Sequence, residues 1–237
     1  GRELAHQGAD ILDIGGESTR PGAAPVSPGE EQARILPVIE GVSDYRISVD
    51  TRHADTMRAA LAAGADIIND ISALTHDPEA MGVVVKAGCP VILMHMQGMP
   101  ETMQDNPDYA DVLGEVTTYL EGRVLACLRA GVMPWNIAID PGIGFGKTLG
   151  HNLALLSHLG DLRTAIGMPL LLGVSRKSFI EQLVPNTPPQ ARLPGSLAAL
   201  HHALLQGVEG YRVHDVAETL QAVTVFRAIN NTASDAA

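Results

Sequence analysis

Seven short apolar runs in this chain stop at a polar residue suited to chemistry: Asp13, Asp50, Asn69, His95, Asp140, Ser175 and His214. Unrelated strands have no common reason to finish alike. Parallel strands closed into an α/β barrel do, because all their C-terminal ends open on one face, where such barrels carry their active sites. The pattern therefore points to a βα-repeating enzyme before any single residue is interpreted.

The runs themselves read as strands over Ile11 to Ile14, Ile47 to Asp50, Asp66 to Asp70, Val91 to Met96, Asn136 to Asp140, Leu170 to Ser175 and Gly210 to Asp215. Most are continuous apolar stretches of the kind buried on both faces of a parallel sheet. Amphipathic stretches separate them, as expected of βα units. Ser27, Pro28 and Glu30 predict a capping box with proline in the first turn, opening a helix that turns Ile35, Val38 and Ile39 inward. Ala54, Met57 and Leu61 recur at i, i+3 and i+7 ahead of Gly64, which marks a second short helix. Asp77 with Pro78 opens another, and Val216, Leu220, Val223 and Phe226 outline the last. The Pro-rich stretch from Pro185 to Pro194 is expected as a long loop before a helix carrying Leu197, Leu200 and Leu204. The predicted fold class is α/β, a (β/α)8 TIM barrel, with residues 1–237 as a single domain. Seven strands against the barrel's eight imply that the first strand and its loop precede Gly1, so that the chain is N-terminally truncated.

A hydrophobic content of 46% with 18% charge suits one large core. The net charge of −11 excludes the basic stripe that a nucleic-acid surface needs. A local cationic pocket for a small anion is still within reach of Arg20, Arg176, Lys177 and Arg212. Cys89 and Cys127 show neither CxxC spacing nor a secretory context, which predicts a cytoplasmic protein. No apolar run approaches the roughly 20 residues of a membrane-spanning helix.

The segment from Asp140 to Thr148 follows a strand and precedes a helix, yet it fails both nucleotide templates. A P-loop needs glycine where Pro141 stands, and the dinucleotide fingerprint needs one where Lys147 stands. Its glycines instead let the backbone turn beneath Asp140, whose carboxylate can accept paired N–H bonds from a guanidine-like edge. Asp50 and Asn69 end neighbouring strands and add a carboxylate and an amide to the same edge; taken singly, each could equally cap the next helix. Asp13 heads a polar loop, Gly15 to Gly22, expected to close over substrate. Ser175 to Ser178 and Arg212 to Asp215 follow the last two strands, where barrels commonly bind phosphate. Strand alternation puts Arg212 and His214 on one face. His95, between Met94 and Met96, reads as a satisfied core histidine, with the methionines lining an apolar floor. No metal-ligand spacing and no nucleophile elbow is present.

Taken together, six segments resemble the dihydropteroate synthase family: Asp13 to Gly22 (DIGGESTRPG), Ser48 to Thr51 (SVDT), Ile68 to Ile71 (INDI), Asp140 to Lys147 (DPGIGFGK), Ser175 to Ser178 (SRKS) and Arg212 to Val216 (RVHDV). They occur in the family's order and span almost the whole chain. The resemblance implies a TIM-barrel transferase of folate biosynthesis. Such an enzyme condenses para-aminobenzoate with hydroxymethyl-dihydropterin diphosphate, releases pyrophosphate, uses Mg2+, is a sulfonamide target and forms a homodimer through its last helices. It implies a catalytic set of Asp50, Asp140, Lys177, Arg212 and His214. The pterin would be held by Asp50, Asn69, Met94, Asp140, Gly173 and Lys177, and the diphosphate by Thr19, Arg212 and His214. Ser18, Thr19, Arg20, Pro21, Phe145, Lys177 and Ser178 would form the para-aminobenzoate pocket. The family's Asn ligand for magnesium falls upstream of Gly1, so no metal ligand is expected within the chain. Two alternatives stay open: a pterin-dependent methyltransferase, which needs no diphosphate site, and a non-catalytic pterin-binding homologue.

Overall fold

Every predicted strand folds as one in the computed structural model, which describes residues 1–20 and 22–234. The strands are β1 (Leu12–Gly15), β2 (Ile47–Asp50), β3 (Ile67–Asp70), β4 (Val91–Met94), β5 (Ile137–Asp140), β6 (Leu171–Leu172) and β7 (Gly210–Tyr211). β1 and β2 keep the length of the runs that announced them, and β3 to β7 are shorter. The chemistry-bearing ends of the last two runs lie beyond the regular ladder, where the Arg212 N–H still donates to the Leu172 carbonyl and the His214 N–H to Ser175 Oγ.

All pairings are parallel and follow chain order from β1 to β5, and a bridge between Ile139 and Leu170 carries the sheet on to β6 and β7. This is a (β/α)8 barrel with seven strands among the described residues. Among the described residues, no backbone ladder joins β7 to β1. A side chain spans that seam instead: Arg212, just past β7, donates from Nε to Asp13 of β1 at 2.5 Å.

Register decides what the barrel encloses. Because successive side chains alternate across a strand, Ile47, Val49, Ile68, Leu93, Ile137 and Ile139 face the helices, and all are buried in two apolar clusters there. The other parity faces the lumen. Asp50 pairs in register with Asn69, and Met94 with Asp140, so these four belong to the inward row.

Ten helices pack around the described barrel: α1 (Arg2–His6), α2 (Pro28–Gly41), α3 (Ala54–Ala62), α4 (Ala80–Ala87), α5 (Val112–Ala130), α6 (Leu149–Ser157), α7 (Leu159–Ile166), α8 (Ser178–Leu183), α9 (Leu193–Leu205) and α10 (Val216–Ser234). Ser27 caps α2 through its hydroxyl and the Glu30 N–H, with Pro28 first in the helix. The return half of the predicted capping box is not made, because the Glu30 carboxylate pairs with Arg34. Two further expectations need correcting. Val38 is 45% exposed, and the fully buried partner of Ile35 and Ile39 is Glu31, a residue that hydrophobic periodicity cannot select. Pro194 lies in the first turn of α9 rather than in the preceding loop, since a helix N-terminus has no need of the proline's missing N–H. Asp77 serves two elements, accepting Ala54 N–H at the start of α3 and Glu79 N–H ahead of α4.

Candidate active site

The lumen opens at the C-terminal strand ends into a cup with unlike rims. Asp50, Asn69 and Asp140 lie on its floor, each 7% exposed or less. Opposite them, Arg212 donates from Nη2 to Asp50 at 2.8 Å as well as to Asp13, and Asn69 Nδ2 stands 3.5 Å from the second Asp13 oxygen. Burial raises the Asp50 carboxyl to about 7, against the pull of Arg212. Burial also works against the charge of Arg212, but Asp13 and Asp50 outweigh it and hold the guanidinium protonated more firmly than usual.

A glycine-rich turn shapes the other side of the floor. Gly142 at φ +67° donates its N–H to Asp140 Oδ1 at 2.7 Å and lies so close to the β4–α5 loop that a Cβ would fall 1.9 Å from the His95 carbonyl oxygen. Gly146, at φ +61°, meets the Gln97 carbonyl in the same way, at 2.3 Å. Only glycine fits both the left-handed backbone and these approaches. The turn thus presents Phe145 to an apolar floor of Ile71, Met94 and Met103, with Met96 packed beside it.

Lys177 crosses this floor, its Nζ 4.2 Å from the centre of the Phe145 ring, a cation–π contact. Burial lowers it to about 8, while Asp140 favours its charge. Burial raises Asp140 in turn; the Gly142 N–H bond and Lys177 oppose the rise. Lys147 does a different job. It is 2% exposed, donates to the Phe145 carbonyl at 3.0 Å and sits 2.9 Å from His95 Nδ1. Burial, then the Lys147 charge, push His95 down to about 3, so the imidazole is neutral and its Nδ1 accepts from Lys147 Nζ, which burial lowers to about 7. The pair is a strut that ties the glycine turn to β4, in keeping with the reading of His95 as a satisfied core residue.

At the outer rim, His214 pairs through Nδ1 with Ser175 Oγ at 3.0 Å, and burial lowers its pKa. Gly173 leaves space beside Arg212, since a Cβ there would lie 3.9 Å from the arginine's own Cβ. Arg176, one of the four cations offered by sequence, is committed elsewhere: it forms a forked pair with Asp215. Ser18 and Arg20 are exposed on the loop after β1, Thr19 is half-buried, and Ser178 is exposed at the start of α8. The Arg20 charge adds slightly to the lowering of His214. Pro21 lies outside the described residues.

Two features escaped sequence reasoning. Asp13 was counted among the strand-end residues and as the head of a loop but given no partner, although its parity, two residues before Gly15 and in register with Ser48, places it in the inward row beside Asp50. The Glu17–Arg52 ion pair, 6% and 5% exposed, had no local signal because its partners lie 35 residues apart.

Chemically, the cup offers acceptors and an amide for an N–H-rich planar ring at one end and cations for an anion at the other. Among the described residues, no three His, Cys, Asp or Glu side chains gather so as to hold a metal ion.

A model of pterin binding enzymes matches residues 1–214. The chain belongs to the pterin binding enzyme family. Within that family it is 49% identical over 230 residues to the dihydropteroate synthase of Neisseria meningitidis serogroup C, covering 96% of this chain and 81% of the relative. Yersinia pestis dihydropteroate synthase, solved with a sulfonamide drug complex, superposes with a TM-score of 0.93 at 43% identity, over 97% of this chain and 84% of that one. The Xanthomonas albilineans enzyme, solved with 4-aminobenzoic acid, gives 0.91 at 46% identity, over 97% and 82%. For this family member, the dihydropteroate synthase resemblance carried by the six sequence segments therefore extends to the whole barrel.

Proposed function

We infer that this pterin binding enzyme is a dihydropteroate synthase, joining para-aminobenzoate to hydroxymethyl-dihydropterin diphosphate with release of pyrophosphate, a step of folate biosynthesis. The observation that carries it is the joining of two ends in one cup. Arg212 touches Asp50 and Asp13 directly, so a ring seated on the acids brings its substituent to the cations. A methyltransferase would need no such cationic end.

In the proposed reaction, the pterin's methylene C–O bond breaks ahead of attack, and its electron pair leaves with the diphosphate. Positive charge develops on the pterin methylene. Asp50 and Asp140 orient the ring and stabilise that charge, with Asn69 and Lys177 completing the edge and Met94 and Gly173 shaping the pocket. Arg212, His214 and Thr19 take the departing diphosphate. The amine nitrogen of para-aminobenzoate then forms the new C–N bond and loses a proton. Phe145, Lys177, Ser178 and the loop residues Ser18, Thr19 and Arg20 hold that amine in line, an advantage of proximity; Pro21 is assigned with them from sequence alone. Water kept from the cation cannot divert it to the alcohol. Magnesium, implied by the resemblance, finds no cluster of His, Cys, Asp or Glu ligands among the described residues.

The test is turnover of radiolabelled para-aminobenzoate with the pterin diphosphate. Labelled dihydropteroate and stoichiometric pyrophosphate are expected, with a sulfonamide competing against para-aminobenzoate. A protein that binds pterin yet makes no such product is one of the two rivals.

The proposed partner is a second copy of the chain. Leu193 and Leu197 of α9 and Val225 and Phe226 of α10 line an open apolar groove, and Val225 is 55% exposed with Leu220 at 47%. Covering such a face is what a stable homodimer does. Val225→Glu should convert a dimer to a monomer in sedimentation equilibrium; a monomeric wild type contradicts the assignment. A cytoplasmic setting accords with two free, buried cysteines. No helix among the described residues is long and apolar enough to cross a membrane.

A further inference from the structure

We propose that Glu17 and Arg52 are positioning residues for the arylamine pocket, a buried clamp that joins both ends of the loop after β1 and pins them to the strand end bearing Asp50. The proposal rests on the assignment of Ser18 to Arg20 to that pocket. Glu17 lies two residues beyond β1, and Val26 directly precedes the cap of α2. One carboxylate binds all three parts. Its Oε1 accepts the Val26 N–H at 3.1 Å, and its two oxygens accept Arg52 Nη2 and Nε, each at 3.1 Å.

Connecting loops usually run over the surface and expose their charges. This one roots itself in an ion pair whose side chains are 6% and 5% exposed. Such a pair adds little net stability over well-packed apolar residues of the same size, because desolvation offsets the attraction. What it does add is direction: a forked guanidinium–carboxylate pair fixes the relative orientation of the two backbones that carry it. Arg52 stands two residues after Asp50, so the orientation is set against the pterin site itself. The surrounding packing agrees. Arg34 donates to the Gly16 carbonyl at 2.8 Å, and a Cβ on Gly16 would fall 2.8 Å from the Glu31 carbonyl oxygen, so α2 lies against the same root. The loop's far side rests on Pro100, whose carbonyl accepts the Gly22 N–H at 3.3 Å. Glu17 and Arg52 act on the arylamine only through the residues they hold.

Glu17→Gln keeps the shape of the side chain and one oxygen for Val26 but removes the charge. It should raise KM for para-aminobenzoate about tenfold or more, with kcat within about threefold and pterin-analogue affinity within about twofold of wild type. Hydrogen exchange at the Val26 amide should quicken by about tenfold. Arg52→Lys, which keeps charge without the fork, should move KM in the same direction. The double variant Glu17→Gln/Arg52→Gln should lose less than the sum of the single losses. An unchanged arylamine KM in a folded Glu17→Gln protein overturns the proposal, as do equal losses for both substrates, which mark a merely structural pair. The Val26 readout needs no substrate. A wild type that forms no dihydropteroate thus removes the activity, whereas unaltered Val26 exchange in Glu17→Gln removes the clamp.

Discussion

Asp140→Asn is expected to lower pterin affinity about 10³-fold, equivalent to about 4 kcal/mol, while leaving the barrel folded. The substitution is isosteric, and an amide oxygen can still accept the Gly142 N–H that Asp140 accepts at 2.7 Å. What changes is the face offered to the ligand. A carboxylate presents two acceptors to a guanidine-like edge, and an amide must oppose one of those N–H groups with its own. Lys177 contributes to the loss, since Asp140 is the largest influence favouring its charge against burial. A pH dependence follows in the wild type. Lys177 is lowered to about 8, so its ammonium is present below that pH and is lost as pH rises through it. The contribution of Lys177 to pterin affinity should therefore be full near pH 7 and decline above about 8, and that decline should begin at lower pH in Asp140→Asn. Calorimetry with a pterin analogue across pH 6 to 10 measures both effects, with circular dichroism as the check on folding. An affinity within about threefold of wild type, in a folded variant, would remove Asp140 from the site.

The barrel was legible in the sequence because both of its signals are local. An apolar run that ends on a polar residue is visible within five or six positions, and so are Ser27 before Pro28 and the glycines after Asp140. The inward row was legible too, through alternation along single strands. What the sequence hid depends on chain segments far apart. Asp13 meets Arg212 across 199 residues, and nothing near either residue announces the other. Arg176 and Arg212 both looked like anion ligands, and only the fold shows that Asp215 occupies the first. Glu31 broke the periodicity of α2 because a buried carboxylate there accepts the Thr51 hydroxyl at 3.0 Å, one residue beyond Asp50. The strand ends of β6 and β7 were overextended for a related reason. The residues after Leu172 and Tyr211 leave the ladder, while their composition still reads as strand.

Replacing Arg212 with methionine should separate the two ends of the cup. The variant keeps the aliphatic stem and loses the charge, so kcat/KM for the pterin diphosphate is expected to fall about 10³-fold, whereas affinity for free pterin falls no more than about tenfold. The asymmetry arises because the guanidinium would meet the diphosphate directly but meets the ring only through Asp50. A second consequence concerns the acids it now neutralises. Without Arg212, burial and the neighbouring Asp13 are left to raise Asp50 with far less opposition, so its carboxyl climbs further above its unfolded value. A group raised in the folded state binds more protons there than in the unfolded chain. Its contribution is complete at low pH and is lost as pH rises through the folded value. Arg212→Met should thus be less stable than wild type at neutral pH, because the buried Asp50 loses its partner, and the deficit should shrink toward pH 4, a trend that denaturant midpoints at several pH values would reveal. Equal losses for the diphosphate substrate and for free pterin would instead mean that Arg212 only braces the acids. The cup would then have a single functional end, and the methyltransferase reading would regain its ground.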